Sequence, residues 1–363
     1  MYMIKFLHAA DLHLDAPFSD LPSAEARARR QEQRGQLAEL AELANAEQCD
    51  LMLLAGDLFD GAAVYPETLE ALRSALASFR GRVFIAPGNH DCLRRGSAYL
   101  TAQWPENVRI FTTDTITVEE IPELGCRVYG AGFTAIDQPP LLEGFRAAED
   151  DVVSVMVLHG DCLNASSDYN PISAEQIAAS GLDYLALGHI HRRGELRCGG
   201  TLCAWPGCTM GRGFDETGEK GVLIGQVEKN ACEVRFVPLS ARRYEVLTVP
   251  AGDDPLAAVE AALPRDIARD IYRIVLTGPS QPIDVNALYD ALRTRVSVLQ
   301  IRDRTTPLVD LWAQRGEDTL RGQFLSLLYE KLTAAKTEEE KETICLAARL
   351  GLDAMEGREE DVL

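Results

Sequence analysis

Between residues 1 and 240 the hydrophobic positions fall into short uninterrupted runs, separated by longer stretches in which apolar and polar residues mix. Runs at 4–7, 51–54, 83–85, 152–158 and 182–187 have the length of strands. Most lack polar alternation, the pattern of strands buried on both faces. The intervening segments 24–46 and 66–79 are rich in Ala and Glu and predict helices. Strands alternating with helices predict an α/β domain.

The pattern changes near Tyr244. Strands are expected at 244–249, 271–276 and 296–301, with helices at 255–263 and 285–294, a β-α-β-α-β order that predicts a small α+β domain. From residue 306 the chain reads as helical. Leu320, Phe324, Leu327, Leu328 and Leu332 form one apolar stripe at helical spacing, suited to docking a partner or to packing within the chain. Thr337 followed by Glu340 has the form of a capping box, and Gly351 is expected to end the helix that begins there. The acidic tail 356–363 is expected to fray. The division expected is 1–243, a small domain at 244–305 and a helical C-terminal region at 306–363. Apolar runs fall far short of the roughly 20 residues that span a bilayer, and the N-terminus lacks a signal-peptide pattern, so a cytoplasmic protein with no membrane partner is expected.

Charge narrows the function. With 36 Lys+Arg against 56 Asp+Glu in 363 residues, the formal charge is −20. Such a chain is a poor autonomous binder of nucleic acid, because phosphate contacts need basic residues to release counterions. An enzyme that meets phosphates through bound cations, or through a basic partner, is still compatible. The nine cysteines include no Cys-x-x-Cys pair, and Cys198, Cys203 and Cys208 recur every five residues. That spacing favours free thiols in a reducing compartment over structural zinc.

The chemistry concentrates in the histidines. Of six, five lie in short polar clusters that follow the expected strands. Asp11-Leu-His13 follows the first run, Gly56-Asp57-Leu-Phe-Asp60 the second and Gly88-Asn89-His90-Asp91 the third. His159-Gly160-Asp161 and Gly188-His189-Ile-His191 follow the last two. Open α/β sheets place their ligands at the carboxyl ends of their strands. Each cluster alone has an ordinary reading as a turn or a surface pair; in this order, after successive strands, they point to bound metal. Carboxylate, amide oxygen and neutral imidazole together suit a borderline divalent ion such as Mn²⁺ or Fe²⁺.

These five motifs resemble the signature of the calcineurin-like metallophosphoesterases. His8-Ala-Ala-Asp-Leu-His-Leu-Asp-Ala-Pro-Phe18 and Gly56-Asp57-Leu-Phe-Asp60 resemble the SbcD-type DNA repair nucleases, and most of all their YhaO-like branch, as do Pro206-Gly207 and Thr217-Gly-Glu-Lys-Gly221. The motif-bearing resemblance covers roughly residues 3–240. It implies an α+β sandwich, a β-sandwich flanked by helices, with a small capping domain and a helical tail. It implies two divalent metal ions, most often Mn²⁺, with Fe²⁺ or Mg²⁺ as alternatives. Asp11, His13 and His191 would hold one, Asn89, His159 and His189 the other, and Asp57 would bridge them. His90 would be the catalytic histidine, oriented by Asp60.

The activity implied is phosphodiester hydrolysis on DNA during repair, as an exonuclease, with endonuclease activity as a second activity the resemblance allows. The implied partners are DNA, a coiled-coil ATPase of the SMC-like type and a second copy of the chain in a homodimer. Arg94, Arg95, Arg192 and Arg193 follow two of the motifs and are candidates for substrate contact, as is Tyr169 for stacking a base. Other substrates on the same fold are a phosphoprotein or a small nucleotide, and a non-catalytic scaffold for the ATPase is a third reading. Against the phosphoprotein, Asp60 is followed by Gly61-Ala62-Ala63 and the third motif ends in Asp91. Against the scaffold, every candidate ligand is present.

Overall fold

The structure is a computed structural model and describes residues 3–239, 242–307 and 311–355. The chain divides into two compact units. One comprises the described residues of Met1–Val246, Asp266–Arg273 and Arg293–Leu299; the other those of Leu247–Arg265, Ile274–Leu292 and Gln300–Leu363.

The first unit is built on twelve strands and four helices. In chain order these are β1 (Ile4–Ala9), α1 (Ser23–Ala46), β2 (Leu51–Leu54), α2 (Pro66–Ser78), β3 (Arg82–Ile85), α3 (Ala98–Thr101), β4 (Val108–Ile110), β5 (Thr117–Ile121), β6 (Cys126–Gly130), β7 (Val153–His159), α4 (Ala174–Ala179), β8 (Tyr184–Gly188), β9 (Gly194–Cys198), β10 (Thr201–Trp205), β11 (Gly221–Glu228) and β12 (Ala231–Pro238). They form two six-stranded sheets, ordered β12-β11-β1-β2-β3-β4 and β5-β6-β7-β8-β10-β9. Strands β1 to β4 run parallel, as do β6, β7, β8 and β10, while the added strands at the edges are antiparallel.

The sheets pack face to face. Ile4, Phe6, Leu51, Leu53 and Phe84 from one meet Val128, Val155, Val157, Tyr184 and Ala186 from the other in a single core. On the outer face of the first sheet, Leu37, Leu40, Ala44, Leu72 and Leu76 of α1 and α2 cover Leu7, Met52 and Val83. The outer face of the second sheet is covered by Ile177 of α4 and by loop residues such as Leu142 and Ile172. Strands clad on both faces must be apolar throughout, which is why their sequences are continuous hydrophobic runs. This is the helix-flanked β-sandwich expected. The strands not anticipated are β4, β5, β6 and β9 to β12. Edge strands such as β9 and β12 alternate between exposed and half-buried positions and carry no such run.

The second unit takes in the C-terminal ends of β13 (Tyr244–Pro250), β14 (Ile271–Thr277) and β16 (Val298–Asp303), with α5 (Pro255–Ala262), β15 (Pro279–Ser280), α6 (Val285–Leu292), β17 (Thr306–Pro307), α7 (Leu320–Ala334) and α8 (Glu338–Met355). The expected capping box forms, with Glu340 N–H donating to Thr337 Oγ1 and Thr337 N–H to the Glu340 carboxylate, both at 3.2 Å. The expected end at Gly351 does not, because α8 continues to Met355. Gly351 serves packing instead: a Cβ there would stand 2.2 Å from Cζ of Phe324 on α7. The apolar stripe of α7 is split. Phe324 and Leu328 pack with Leu352 and Ala348 of α8, whereas Leu320 and Leu327 are 75% and 61% exposed. The tail 356–363 lies outside the described residues. Among the described residues no helix is long and apolar enough to cross a membrane.

Candidate metal centre

The candidate ligands meet at the carboxyl ends of the parallel strands. Asp11 and His13 follow β1, Asp57 follows β2 and Asn89 follows β3, all from the first sheet; His159 ends β7, and His189 and His191 follow β8 in the second. Two-sheet packing is therefore what closes the site. The loops after β1 and β2 run together: Asp11 N–H donates to Gly56 O at 3.1 Å, His13 N–H to Asp57 O at 2.9 Å and Leu14 N–H to Leu58 O at 2.8 Å.

These bonds hold an unusual backbone. Asp11, His13, Asp57 and His189 have φ of 51°, 44°, 50° and 95°, the left-handed region that non-glycine residues rarely adopt. Such strain persists only where surrounding structure over-determines it, and it collects at functional sites. Two glycines leave the room the ligands fill. A Cβ at Gly56 would meet the His159 ring at 2.4 Å, and one at Gly88 would meet Asp57 Oδ1 at 2.3 Å.

Donor atoms converge in overlapping groups: Asp11, His13 and His191; Asp11, Asp57 and His159; His13, Asp57 and His90. Beside them, Asn89 Oδ1 lies 2.9 Å from His159 Nε2 and 3.3 Å from His189 Nδ1. Electrostatics favour a cation here. Burial, then the charge of Asp57, pushes the Asp11 carboxyl up to about 7. Burial lowers His13, His159 and His189 to about 4 each, so at neutral pH the three rings are uncharged and each keeps a lone pair. His159 shows the consequence. Its Nδ1 donates to Ala55 O at 3.0 Å, so its Nε2 lone pair faces the oxygen of Asn89 and Asp57 Oδ2 at 3.5 Å. His13 Nε2 and His191 Nε2 face each other at 3.2 Å. Electron pairs set against one another in a buried space fit a divalent ion between them.

His90 is exposed at the rim. Its ring meets that of His13 edge-on at 4.7 Å, its N–H donates to Asp57 Oδ1 at 2.9 Å, and its Nδ1 donates to the backbone carbonyl of Asp60 at 3.3 Å. Asp60 thus holds His90 through its main chain. Its carboxylate turns instead to His13 Nδ1 at 3.0 Å and Arg212 Nη1 at 3.1 Å. Burial pushes that carboxyl up, but the bond from His13 and the charge of Arg212 outweigh it and leave it lowered.

The other candidates are more dispersed. The half-buried Tyr169 sets its ring 5.1 Å from that of His189, beside the cluster. Arg94 and Arg95 are exposed and line a cleft with Phe59, Gly61 and Asp91. Arg193 lies over the Phe236 ring at 4.3 Å, and the carbonyl of the exposed Arg192 accepts from Trp205 Nε1 at 2.8 Å.

Three supporting residues escaped the sequence reading. The Asp91 carboxylate ties two ligand loops together by accepting from the N–H groups of Leu58, Phe59 and Gly88 and from Tyr99 Oη at 2.5 Å. Glu216 Oε1 lies 2.8 Å from His191 Nδ1, and Arg212 joins Glu216 to Asp60. Asp91 stood inside a motif, which was a usable signal. Arg212 and Glu216 lie in a glycine-rich segment after β10, a strand the sequence pattern does not reveal, and nothing in their spacing singles them out.

The model of the calcineurin-like phosphoesterase family matches residues 4–193. An uncharacterized metallophosphoesterase, YhaO, of Bacillus subtilis (strain 168) is 32% identical over 270 residues, 69% of this chain and 63% of that protein. The SbcD component of the nuclease SbcCD of the same organism is 27% identical over 267 residues, 61% of this chain and 66% of that one. The DNA double-strand break repair protein Mre11 of Archaeoglobus fulgidus is 24% identical over 405 aligned positions, 99% of this chain and 88% of that one. The chain thus spans less than two thirds of the length of either Bacillus relative.

Proposed function

The chain belongs to the calcineurin-like phosphoesterase family, and from that premise we propose that it hydrolyses phosphodiester bonds of DNA with two divalent ions, most often Mn²⁺. The observation that carries this reading is the convergence of uncharged, buried histidines with Asp11 and Asp57 beneath one exposed histidine, His90. Asp11, His13 and His191 would hold one ion and Asn89, His159 and His189 the other, with Asp57 shared. Ions so held would supply Lewis acidity for water and for the phosphoryl oxygens.

The chain's own groups do the rest. His90, with its Nδ1 proton committed to the Asp60 carbonyl, presents its other ring nitrogen, which in the imidazolium form carries the second proton and delivers it to the leaving oxygen, leaving the neutral ring. Tyr169, tilted against His189, offers a face for a base next to the scissile phosphate. Arg94 and Arg95 offer positive charge at the rim on a protein of net charge −20. The names of two relatives, a component of a nuclease and a double-strand break repair protein, support DNA as the substrate class. An SMC-like coiled-coil ATPase would add the basic surface this chain lacks.

The test is digestion of end-labelled single- and double-stranded DNA with Mn²⁺, beside Asp57→Ala. Stepwise shortening that the variant abolishes is the expected result, and its products give the polarity. DNA left intact while bis(p-nitrophenyl) phosphate is cleaved would replace this reading with a small-nucleotide phosphodiesterase.

A further inference from the structure

The segment that closes one side of the metal cluster lies beyond the stretch matched by the family model. Residues 207–216 leave β10 and return to the site through Arg212 and Glu216. The turn is anchored from behind: the buried Arg29 of α1 donates to Gly211 O at 2.9 Å, and Cys208 Sγ lies 3.7 Å from Glu216 Oε2. At its tip two side chains compete for one atom. Glu216 Oε1 stands 2.8 Å from His191 Nδ1, and Arg212 Nη2 stands 3.0 Å from that same nitrogen.

Only one of these contacts can be a hydrogen bond at a time. If Nδ1 carries the proton it donates to Glu216, and the lone pair sits on Nε2, the atom that faces His13 Nε2 at 3.2 Å. If Arg212 donates to a bare Nδ1, the proton moves to Nε2 and His191 cannot bind a metal through that atom. We propose that Glu216 is a positioning residue that selects the metal-binding tautomer of His191. Arg212 is restrained from the competing bond by its ties to Glu216 at 2.7 Å and to Asp60 at 3.1 Å. The same arginine thereby links the carboxylates behind both histidines of that cluster, since Asp60 holds His13 Nδ1. A carboxylate behind a ligating imidazole fixes its ring and raises its basicity, and its loss typically weakens metal binding by about 10–100-fold. The inference rests on the metal reading of the site given above.

The experiment titrates chelator-treated full-length protein with Mn²⁺ and counts bound ions by electron paramagnetic resonance of the free ion. Wild-type protein is expected to bind two. Glu216→Ala should leave one site unchanged and weaken the other by about 10–100-fold. Glu216→Gln, whose amide oxygen still accepts from Nδ1–H, should lose less. The decisive variant is Glu216→Ala with Arg212→Met. Removing the competing donor should restore affinity by more than Arg212→Met does alone, a coupling that mere loss of packing does not produce. Should Glu216→Ala fail to fold, the same cycle is run on Glu216→Met, which fills the space and removes the acceptor. Two sites of wild-type affinity in the variant that lacks the acceptor, or no coupling to Arg212, would overturn the proposal and leave the metal reading standing. Wild-type protein that binds no Mn²⁺ overturns both.

Discussion

His90 and Asp57 are joined by one backbone hydrogen bond of 2.9 Å, yet they carry opposite expectations. His90 is exposed and, in the proposed mechanism, supplies a proton, so His90→Asn should lower turnover by about 10²–10⁴-fold while both Mn²⁺ ions still bind. Steady-state kinetics beside a metal titration checks this, and a fully active variant would remove His90 from the mechanism. Asp57 is buried and shared by two donor groups. Asp57→Ala should therefore empty the site, with bound Mn²⁺ falling below one per chain after dialysis. At this scale the chemistry-bearing residues were legible because histidine is rare in this chain and its positions follow strand ends. The residues that aim those histidines were not. Asp60 stood in a motif, but that its carboxylate serves His13 and its carbonyl serves His90 depends on backbone direction, which residue identity does not encode.

Strands were legible where a long apolar run stands between helical segments; the alternating edge strands were missed, and so were the buried β10 and β11, whose runs are interrupted by polar residues and glycine. The runs at β2 and β7 lie inside two covered layers, whereas β12 presents one side to solvent and its Val234 and Phe236 alternate with charged residues. His8 is the exception within a buried strand. It lies in β1 with Nδ1 2.8 Å from Tyr184 Oη, and burial lowers it from 6.5 to about 3. As pH falls below 6.5 the unfolded chain takes up this proton first. Stability is therefore lost between about pH 6 and pH 3, by about 1.4 kcal/mol per unit for this one group. Urea unfolding at a series of pH values should show an acid limb shallower by one proton in His8→Leu; an unchanged slope would mean that His8 does not titrate in the unfolding transition.

Gly351 makes the corresponding point for helices. It reads as a helix end, yet α8 continues through it to Met355, and the glycine instead leaves the space that Phe324 of α7 occupies. Gly351→Leu should separate α7 from α8 at a cost of about 1–3 kcal/mol, the usual range for overpacking. Hydrogen exchange in α7 and α8 would report it as lost protection confined to those helices.

At the scale of the whole molecule, a metal bound at this centre would be coupled to stability. Asp11 is pushed up to about 7 by burial, so the metal-free centre is a poor environment for the charge it must carry. An ion that binds only the folded chain stabilises it by about 2.7 kcal/mol at a hundred times its dissociation constant. Mn²⁺ should accordingly raise the melting temperature of wild-type protein and leave that of Asp57→Ala unmoved, as differential scanning calorimetry would show. The sequence by itself determined the layered α/β class and offered the strand-end clusters whose residues are the candidates for binding metal. Each of these follows from local pattern, from hydrophobic runs and from the rarity of histidine. Tertiary structure alone decided which donors share a point in space, because β1, β2 and β3 contribute from one sheet and β7 and β8 from the other. It alone brought Arg212 and Glu216 to His191, since long-range packing sets the tautomer of a ring that the sequence shows only as a histidine.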